Sequence, residues 1–181
     1  MESYREYTYN AFNQTETVTV ETYQGEEKQV HTQKNCYDAE NMRYGIEEDG
    51  ESTYFITNGW SVFTELDKDW NIGRRLIRGY GIIAGEKQET KETSEHAGYY
   101  YYHLNEHGDT EYLTGQTGMI QNAYTYDAFG GIKKAEELVR NRYTYNGEQY
   151  DTISSQYYLR ARYYNPLIGR FTKRMCIVEM D

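Results

Sequence analysis

Cysteine, proline and tryptophan are scarce in this chain, with two, one and two copies among 181 residues. The two cysteines, Cys36 and Cys176, are too few for a disulfide framework and are not spaced as metal ligands. Long apolar runs are also missing. The longest, around residues 82–84, falls far short of the roughly 20 residues that a membrane-spanning helix needs. Met1 opens onto a charged polar run, so the sequence predicts neither a signal peptide nor a membrane anchor.

Positive charge is also in deficit. Lysine and arginine together number 19 against 29 aspartates and glutamates, which gives a formal net charge of -10. Proteins that bind the nucleic-acid backbone do so through lysine and arginine, because these side chains neutralise phosphates and release counterions. The charge balance therefore argues against direct nucleic-acid binding.

Tyrosine is the abundant residue, with 22 copies against five phenylalanines, and glycine occurs 16 times. Tyrosine and threonine fit pleated, half-buried surfaces, so this composition favours β-strands. Disordered chains are poor in aromatic residues, and the tyrosine content argues against disorder. We expect an all-β protein whose tyrosines pack across neighbouring strands.

A short unit recurs along the chain, in which tyrosine is followed by aspartate or asparagine. The four copies are YTYNAFN, CYDAENM, YTYDAFG and YTYNGEQ, with the pairs Tyr9 and Asn10, Tyr37 and Asp38, Tyr126 and Asp127, and Tyr145 and Asn146. Alternating Tyr and Thr predict a strand, and the Asp or Asn supports a turn by bonding its own backbone. Residues 54–66, YFITNGWSVFTEL, predict a further hairpin with an Asn-Gly turn. Each unit cannot bury its apolar face alone, so the units are expected to stack side by side.

Several stretches resemble the Rhs/YD-repeat family. Residues 101–118, YYHLNEHGDTEYLTGQTG, and residues 124–131 are similar to the start of its Rhs repeat-associated core. Residues 157–171, YYLRARYYNPLIGRF, are similar to the signature of that core almost residue for residue. The matching positions are Tyr157, Tyr158, Leu159, Arg160, Arg162, Tyr163, Tyr164, Pro166, Gly169, Arg170 and Phe171.

The resemblance implies a domain organisation and a function. Residues 1–85 are expected to be degenerate YD repeats, 86–98 a polar loop, 99–171 the core, and 172–181 an aberrant, disordered tail. Members of the family form a hollow β-shell that encloses a C-terminal toxic or effector polypeptide, and the core plugs one end. The implied function is structural and non-enzymatic, without a cofactor, and the implied partners are the rest of a shell and an enclosed effector. Many members also cleave themselves just after the core, and this self-cleavage is expected to be lost here, because the Asp-Pro segment that carries it is missing after Phe171. Intact relatives are secreted or bound to the cell surface, whereas this chain alone would stay cytoplasmic.

Other candidate chemistry receives structural interpretations. His103 and His107 are expected to shape a hairpin loop rather than bind metal, because zinc needs three or four ligands. Asp67 and Asp69 predict a hairpin turn, since the glutamate of a calcium loop is missing. Arg160 and Arg162 are expected on one face of a strand, stacked on rings and bound to carboxylates. No nucleophile elbow or phosphate-binding loop is present, so we expect no enzyme.

The expected fold is an antiparallel sheet of consecutive hairpins over most of residues 1–171. We expect a poorly ordered loop at residues 86–97, one short helix at residues 133–140, KKAEELVR, and a core formed by Tyr158, Leu159, Tyr163, Tyr164 and Phe171. Unpaired strand edges should make the isolated chain marginal in stability and prone to association. One alternative is a surface adhesin in which exposed tyrosines and Trp60 or Trp70 bind carbohydrate; another is a gene remnant without independent function.

The last ten residues depart from the family signature and predict a frameshift. TKRMCIVEMD can be written in codons that, with one C inserted after the first codon, encode TQEDVYRGDG, which resembles the acidic continuation of close relatives. Residues 173–181 are therefore expected to pack against nothing, and Cys176 to have no catalytic role. Sequencing the gene tests this prediction, because codons incompatible with the shift, or an in-frame relative with the same ending, would refute it.

Overall fold

The computed structural model describes residues 3–25, 27–88 and 98–172, and these form two antiparallel sheets. The large sheet has twelve described strands and the small sheet has four, each in sequence order. The large sheet comprises β1 Ser3–Tyr9, β2 Thr15–Gln24, β3 Glu27–Tyr37, β4 Arg43–Glu48, β5 Glu51–Asn58, β6 Ser61–Leu66, β7 Ile72–Arg78, β8 Ile82–Lys87, β9 Gly98–Leu104, β10 Thr110–Gly115, β11 Ile120–Tyr126 and β12 Ile132–Glu137. The small sheet comprises β13 Gln149–Asp151, β14 Gln156–Leu159, β15 Arg162–Asn165 and β16 Arg170–Phe171.

The prediction of an all-β fold built from consecutive antiparallel hairpins is confirmed. Each strand of the large sheet pairs with the strands before and after it in the chain. Side chains alternate between the faces, as in β9, where Tyr100 and Tyr102 are buried while Tyr99 and Tyr101 are exposed. Alternation with a period of two is the property of a pleated strand with one covered face. Within the described residues, helical backbone is limited to the 3-10 turn Tyr145–Gly147.

The Asp or Asn of the repeated unit adopts one turn geometry. In the turn that Asp127 begins, its side-chain oxygen accepts hydrogen bonds from the backbone N–H groups of Phe129 and Gly131. The backbone N–H of Asp127 donates to Gly131, and that of Gly130 donates back to Asp127. Asn10 and Asp38 begin turns with the same bonds. We refer to this arrangement as the YD turn.

The repeated unit identified in the sequence did not include two of the YD turns, and it placed one YD turn where none is present. Asp67 and Asn105 begin turns with the same hydrogen bonds, but each follows a leucine instead of a tyrosine. The turn at Asp67 confirms the hairpin predicted there. Asn146 begins no such turn, because the equivalent backbone bonds start two residues earlier, at Thr144. The bonding group is the Asp or Asn side chain, so the preceding residue need only fit a strand.

Several local expectations are corrected. Residues 133–140 are not a helix: β12 occupies residues 132–137 and pairs with β11, so tertiary pairing outweighs the helix propensity of KKAEELVR. Glu86 and Lys87 belong to β8, which pairs with β9, so the sheet continues across the predicted loop. Residues 89–97 and residues 173–181 of the predicted tail lie outside the described residues. Thr172, the first residue of that tail, is described and donates its backbone N–H to Tyr163, so it is not disordered as expected. The boundaries of the predicted domains stay predictions.

The core lies between the inner face of the large sheet and the chain from residue 138 onward, which folds back over it. Its apolar part consists of Ile46, Phe55, Val62, Leu76, Ile82, Tyr100, Tyr102, Leu113, Tyr124, Val139 and Tyr143. In the small sheet Tyr158 and Tyr163 are buried as expected, whereas Phe171 is 44% exposed. Tyr157, which was not among the expected core residues, is 1% exposed. The small sheet is only partly covered, so its last strand stays at the surface.

Glycine-to-alanine substitutions in two equivalent turns would distinguish the destabilisation caused by backbone strain from that caused by a steric clash. Gly118 and Gly130 have φ values of +80° and +81°. A Cβ at Gly118 would meet nothing within 4 Å, whereas one at Gly130 would lie 2.6 Å from the ring of Tyr145. We expect Gly118→Ala to lower the free energy of unfolding by about 1 kcal/mol through backbone strain alone. Gly130→Ala should lower it by about 1–3 kcal/mol more, because the ring must move. Equal losses in urea denaturation would contradict the contact with Tyr145.

Candidate functional site: a buried charged interface between the sheets

An arginine and an aspartate from different sheets meet in the interior. Arg43 begins β4, Asp151 ends β13, and both side chains are 0% exposed. The guanidinium donates two hydrogen bonds to the carboxylate, from Nη1 to Oδ2 at 2.5 Å and from Nη2 to Oδ1 at 3.0 Å. Paired bonds of this kind fix orientation as well as distance. The small sheet is therefore held on the large sheet in one register.

Arg43 is enclosed by groups from the small sheet. Its guanidinium carbon lies 4.2 Å from the centroid of the Tyr158 ring, and its Nη2 donates to Gln149 at 2.6 Å. Its backbone N–H donates to the Tyr158 hydroxyl at 2.8 Å. Burial lowers the pKa of Arg43, but the charge and hydrogen bonds of Asp151, with smaller contributions from Tyr163 and Tyr37, together outweigh burial and hold that pKa well above its usual value. The arginine is therefore a fixed cation.

Neutral polar groups complete the surroundings of the ion pair. Gln33 donates to Asp151 at 2.9 Å, and Asn35 accepts from Arg43 at 3.0 Å. The hydroxyl of Tyr163 lies 3.3 Å from Arg43 Nη1 and 3.0 Å from the Tyr37 hydroxyl. We call this set the docking network: Gln33, Asn35, Arg43, Gln149, Asp151 and Tyr163. Most of the buried donors and acceptors of this network are paired, as buried ions require, but Arg43 Nε and Gln33 Oε1 have no hydrogen-bond partner among the described residues.

A second ion cluster adjoins the docking network. Glu48 ends β4, and one carboxylate oxygen accepts from Arg142 at 2.8 Å and from Arg140 at 2.5 Å. Burial raises the pKa of Glu48, but Arg142 and then Arg140 outweigh that effect, so the pKa lies below its usual value. Arg142 also lies 3.7 Å from Asp151. The segment before β13 is thereby tied to the same sheet face.

Residues 157–171, which resemble the core signature, supply part of the small sheet's side of the interface, beside Gln149 and Asp151 of β13. Tyr158 and Tyr163 face the docking network, whereas Tyr157 and Tyr164 donate hydroxyl hydrogen bonds to the carbonyls of Gly130 and Phe129, both at 2.9 Å. These two hydrogen bonds hold the small sheet against the YD turn that Asp127 begins. Of the remaining signature residues, Leu159 is half-buried, Pro166 and Gly169 lie in the turn between β15 and β16, and Arg170 pairs with Asn165.

The two signature arginines do not share a strand face as expected. Arg160 lies in the turn between β14 and β15 with φ of +57°, and its guanidinium bonds Glu148. Arg162 stacks on Phe171, with its guanidinium carbon 3.7 Å from the ring centroid. Arg160 thus binds a carboxylate and Arg162 stacks on an aromatic ring, the two kinds of group that were expected. The turn at Arg160 interrupts the strand and separates their directions.

The other candidate residues lie apart from this interface. His103 on β9 bonds Thr114 across the sheet at 2.9 Å, while His107 lies in the YD turn that Asn105 begins. In the described part of the chain, no three His, Cys, Asp or Glu side chains are grouped so as to hold a metal ion. Nor does any helix of that part have the length and apolar character to cross a membrane.

Sequence reasoning missed the central residues of the site, Arg43, Glu48, Arg142 and Asp151. The available signal was weak, because Arg43 and Glu48 are charged residues in a strand whose other members include the fully buried Ile46. Their partners are 108 and 94 residues away along the chain. Only the docked fold brings them together.

The architecture defines the class of protein, an all-β chain whose long antiparallel sheet is of the β-shell type. Over 92% of its length it superposes on 9% of a chain of the TcdB2-TccC3-Cdc42 crystal structure, with a TM-score of 0.69 and 15% identity. A Tc holotoxin pore from Photorhabdus luminescens gives a TM-score of 0.67, again at 15% identity, over 92% of this chain and 8% of the other. At this identity the likeness concerns the fold alone.

The sequence comparison points to a particular group of proteins. The chain is 34% identical over 161 residues to the tRNA3(Ser)-specific nuclease WapA of Bacillus spizizenii, covering 86% of this chain and 7% of the relative. It is 35% identical over 162 residues to the tRNA nuclease WapA of Bacillus subtilis strain 168, with shares of 86% and 7%. The chain thus spans a small part of these relatives. No family model matches it.

Removing one charge of the central pair tests its contribution. We expect Asp151→Asn to lower the free energy of unfolding by about 3–5 kcal/mol, because Arg43 stays buried without a counterion. Asp49→Asn is the matched control: Asp49 pairs with His31 at 2.7 Å but is 46% exposed. Its loss should stay below about 1 kcal/mol. Similar losses for the two variants in urea denaturation would contradict the stated role of the buried pair.

The depressed pKa of Glu48 predicts a pH dependence. The unfolded chain binds this proton near pH 4.5, whereas the folded chain binds it only at lower pH. The stability contributed by Glu48 is therefore fully present above pH 4.5 and is lost as pH falls through the folded-state pKa. Glu48→Gln should cost about 1.5–3 kcal/mol at neutral pH, because the charge-assisted hydrogen bonds from Arg142 and Arg140 are weakened. That difference from wild type should shrink at about pH 3 in thermal unfolding; a constant difference would argue against the ion cluster.

Proposed function

We propose that this chain is a segment of an Rhs/YD-repeat shell, with a wall formed by the large sheet and a plug formed by the small sheet. The wall-and-plug arrangement is supported by the shell-type fold and by the similarity to WapA. The Rhs repeat-associated core would then include residues 99–171. Its signature would position the plug against the wall, and the assembly would enclose an effector polypeptide.

The observation that carries this proposal is the buried pairing of Arg43 with Asp151. A strand of the proposed wall and a strand of the proposed plug contact each other through a desolvated ion pair, and neither side chain is exposed to solvent. Such pairs add little net stability over an apolar contact, but a wrongly docked plug would leave two uncompensated buried charges. The pairing therefore suits an element that must close a shell in one position.

The role proposed for the chain itself is structural and non-enzymatic. Its buried cations Arg43, Arg74 and Arg142 each face a carboxylate in the interior. The buried hydroxyl of Tyr163 lies 3.3 Å from Arg43 Nη1, so it is beside a fixed cation rather than a group that could take its proton. We attribute the nuclease activity named for the WapA proteins to parts of those proteins that this chain does not match.

A chimera tests the enclosure. The chain would replace the matching segment of the Bacillus subtilis tRNA nuclease WapA, and limited proteolysis would follow the fate of the polypeptide C-terminal to it. We expect that polypeptide to be protected in the chimera. Protection should fall at least severalfold with Asp151→Asn, because the plug loses its register, and should be kept with Asp49→Asn.

Two results would overturn the proposal. One is cleavage of the C-terminal polypeptide at the same rate in the chimera and in the polypeptide alone. The other is full protection in a chimera that lacks the plug, residues 149–171. Ribonuclease activity of the isolated 181-residue chain on tRNA would contradict the non-enzymatic role.

A carbohydrate-binding surface is a second candidate, favoured by a row of aromatic side chains on the outer face. Tyr54 stacks on Trp70 at 4.6 Å, and Tyr44 continues the row at 6.4 Å. Trp70 is 64% exposed and Trp60 is 70% exposed. A glycan array with wild type and Trp70→Ala would decide this candidate. Saturable binding that depends on Trp70 would support it, and no binding would exclude it.

A further inference from the structure

Arg78 differs from the buried arginines Arg43, Arg74 and Arg142. It ends β7, its Nε donates to the carbonyl of Val62 at 2.8 Å, and its guanidinium carbon lies 5.6 Å from the centroid of the Tyr143 ring. Its side chain is half-buried. Within the described residues it forms no ion pair, whereas Arg43, Arg74 and Arg142 each have a carboxylate partner. Arg78 is therefore a partly desolvated cation without its own counterion.

The charges around Arg78 support this description. Burial is the main reason that the pKa of Arg78 lies below its usual value, and the nearby charge of Arg160 lowers it further. Tyr143, Tyr102 and Glu148 act in the opposite direction but do not outweigh burial. For Arg43 and Arg142 the balance is reversed, because their carboxylates raise the pKa. An unpaired guanidinium in such a place favours an added anion.

A cleft opens beside Arg78 at the seam between the two sheets. Its walls come from the rim of the large sheet, at Thr57, Trp60 and Val62, and from the small sheet and the turn before it, at Gly147, Glu148 and Arg160. The enclosed space is about 30 Å³. One water molecule needs about 10–15 Å³ of such space, so the cleft suits a group of a few atoms.

The charge of the cleft lining is unbalanced. Arg43 is neutralised by Asp151, and Arg160 by Glu148. Arg78 then leaves one net positive charge. A cationic ligand would face this charge in a partly desolvated space. An oxyanion would be attracted and would accept hydrogen bonds from the terminal guanidinium nitrogens, the geometry that arginine offers to carboxylates and phosphates.

We propose that this cleft, which we call the Arg78 cleft, is an oxyanion-binding site in which Arg78 binds a carboxylate or phosphate group. Because its walls belong to both sheets, a bound anion contacts the large sheet through Arg78 and lies beside Arg160 of the small sheet. Anion binding would then stabilise the docked state. The site requires only the observed docking of the sheets and does not depend on the proposed shell function.

Thermal unfolding of the full 181-residue chain in inorganic phosphate tests the site, with ionic strength held constant by sodium chloride. We expect a saturable rise in Tm for wild type. Arg78→Gln should raise the phosphate concentration at the midpoint of that rise at least tenfold. The matched control is Arg75→Gln, on the same strand: Arg75 is 52% exposed and pairs with Glu86 at 3.5 Å. This control should keep the wild-type response.

Equal responses in all three proteins, or no response in wild type, would overturn the proposal. If Arg78→Gln does not fold, Arg78→Lys is used. Because lysine keeps the charge but has fewer hydrogen-bond donors, the phosphate concentration at the midpoint should rise severalfold. A second measurement follows the guanidinium NεH signals of wild type by NMR during the titration. The Arg78 signal should shift saturably, and a saturating shift confined to other arginines would also overturn the proposal.

A comparison of ligands distinguishes the source of the oxyanion. Inorganic phosphate stands for a free anion, and an N-acetylated, C-amidated glutamate stands for an acidic side chain of a polypeptide. Tighter binding of the glutamate derivative would assign the cleft to a docked acidic segment. Tighter binding of phosphate would assign it to a free anion. Both outcomes require the loss of response in Arg78→Gln, and its persistence would count against the site.

Discussion

The ion pair between Arg43 and Asp151 is the contact on which the arrangement of the two sheets depends. It joins residues 108 positions apart, and both side chains are removed from solvent. The cost of burying each charge is several kcal/mol, and it is offset only when the partner is present with good geometry. The same strands could form other apolar contacts, but other registers would leave these charges unpaired. The pair therefore specifies one docked position more than it adds stability.

Polar groups extend this selection over the whole interface. The inner face of the large sheet carries Gln33, Asn35, Glu48 and Arg74 beside its apolar residues, and each is at most 9% exposed. The covering chain brings matching groups, such as Arg142, which bonds Glu48. Polar networks of this kind are favourable only when nearly every member is satisfied. The interface thus discriminates strongly between the docked state and partly docked states.

Repetition serves a different purpose in this chain. The YD turns reverse the strands at uneven intervals along the chain, and this is a separate task from binding the small sheet. One of them does both: the turn that Asp127 begins offers the carbonyls of Phe129 and Gly130 to the hydroxyls of Tyr164 and Tyr157. A close approach of the Tyr145 ring accounts for glycine at position 130. The repeat thereby becomes part of the docking surface at one place along the sheet.

The sequence by itself determined the local structure: the all-β class, the consecutive hairpins and several of the turns. These follow from side-chain alternation and from Asp or Asn bonding its own backbone, which are interactions between near neighbours. The same reasoning failed at residues 133–140, where pairing of β12 with β11 overrides helix propensity, and at Arg160, where a turn replaces the expected strand. Only the tertiary structure decided which charges are buried. Arg43 resembles any other strand arginine in the sequence, and its partner Asp151 becomes its neighbour only when the small sheet docks.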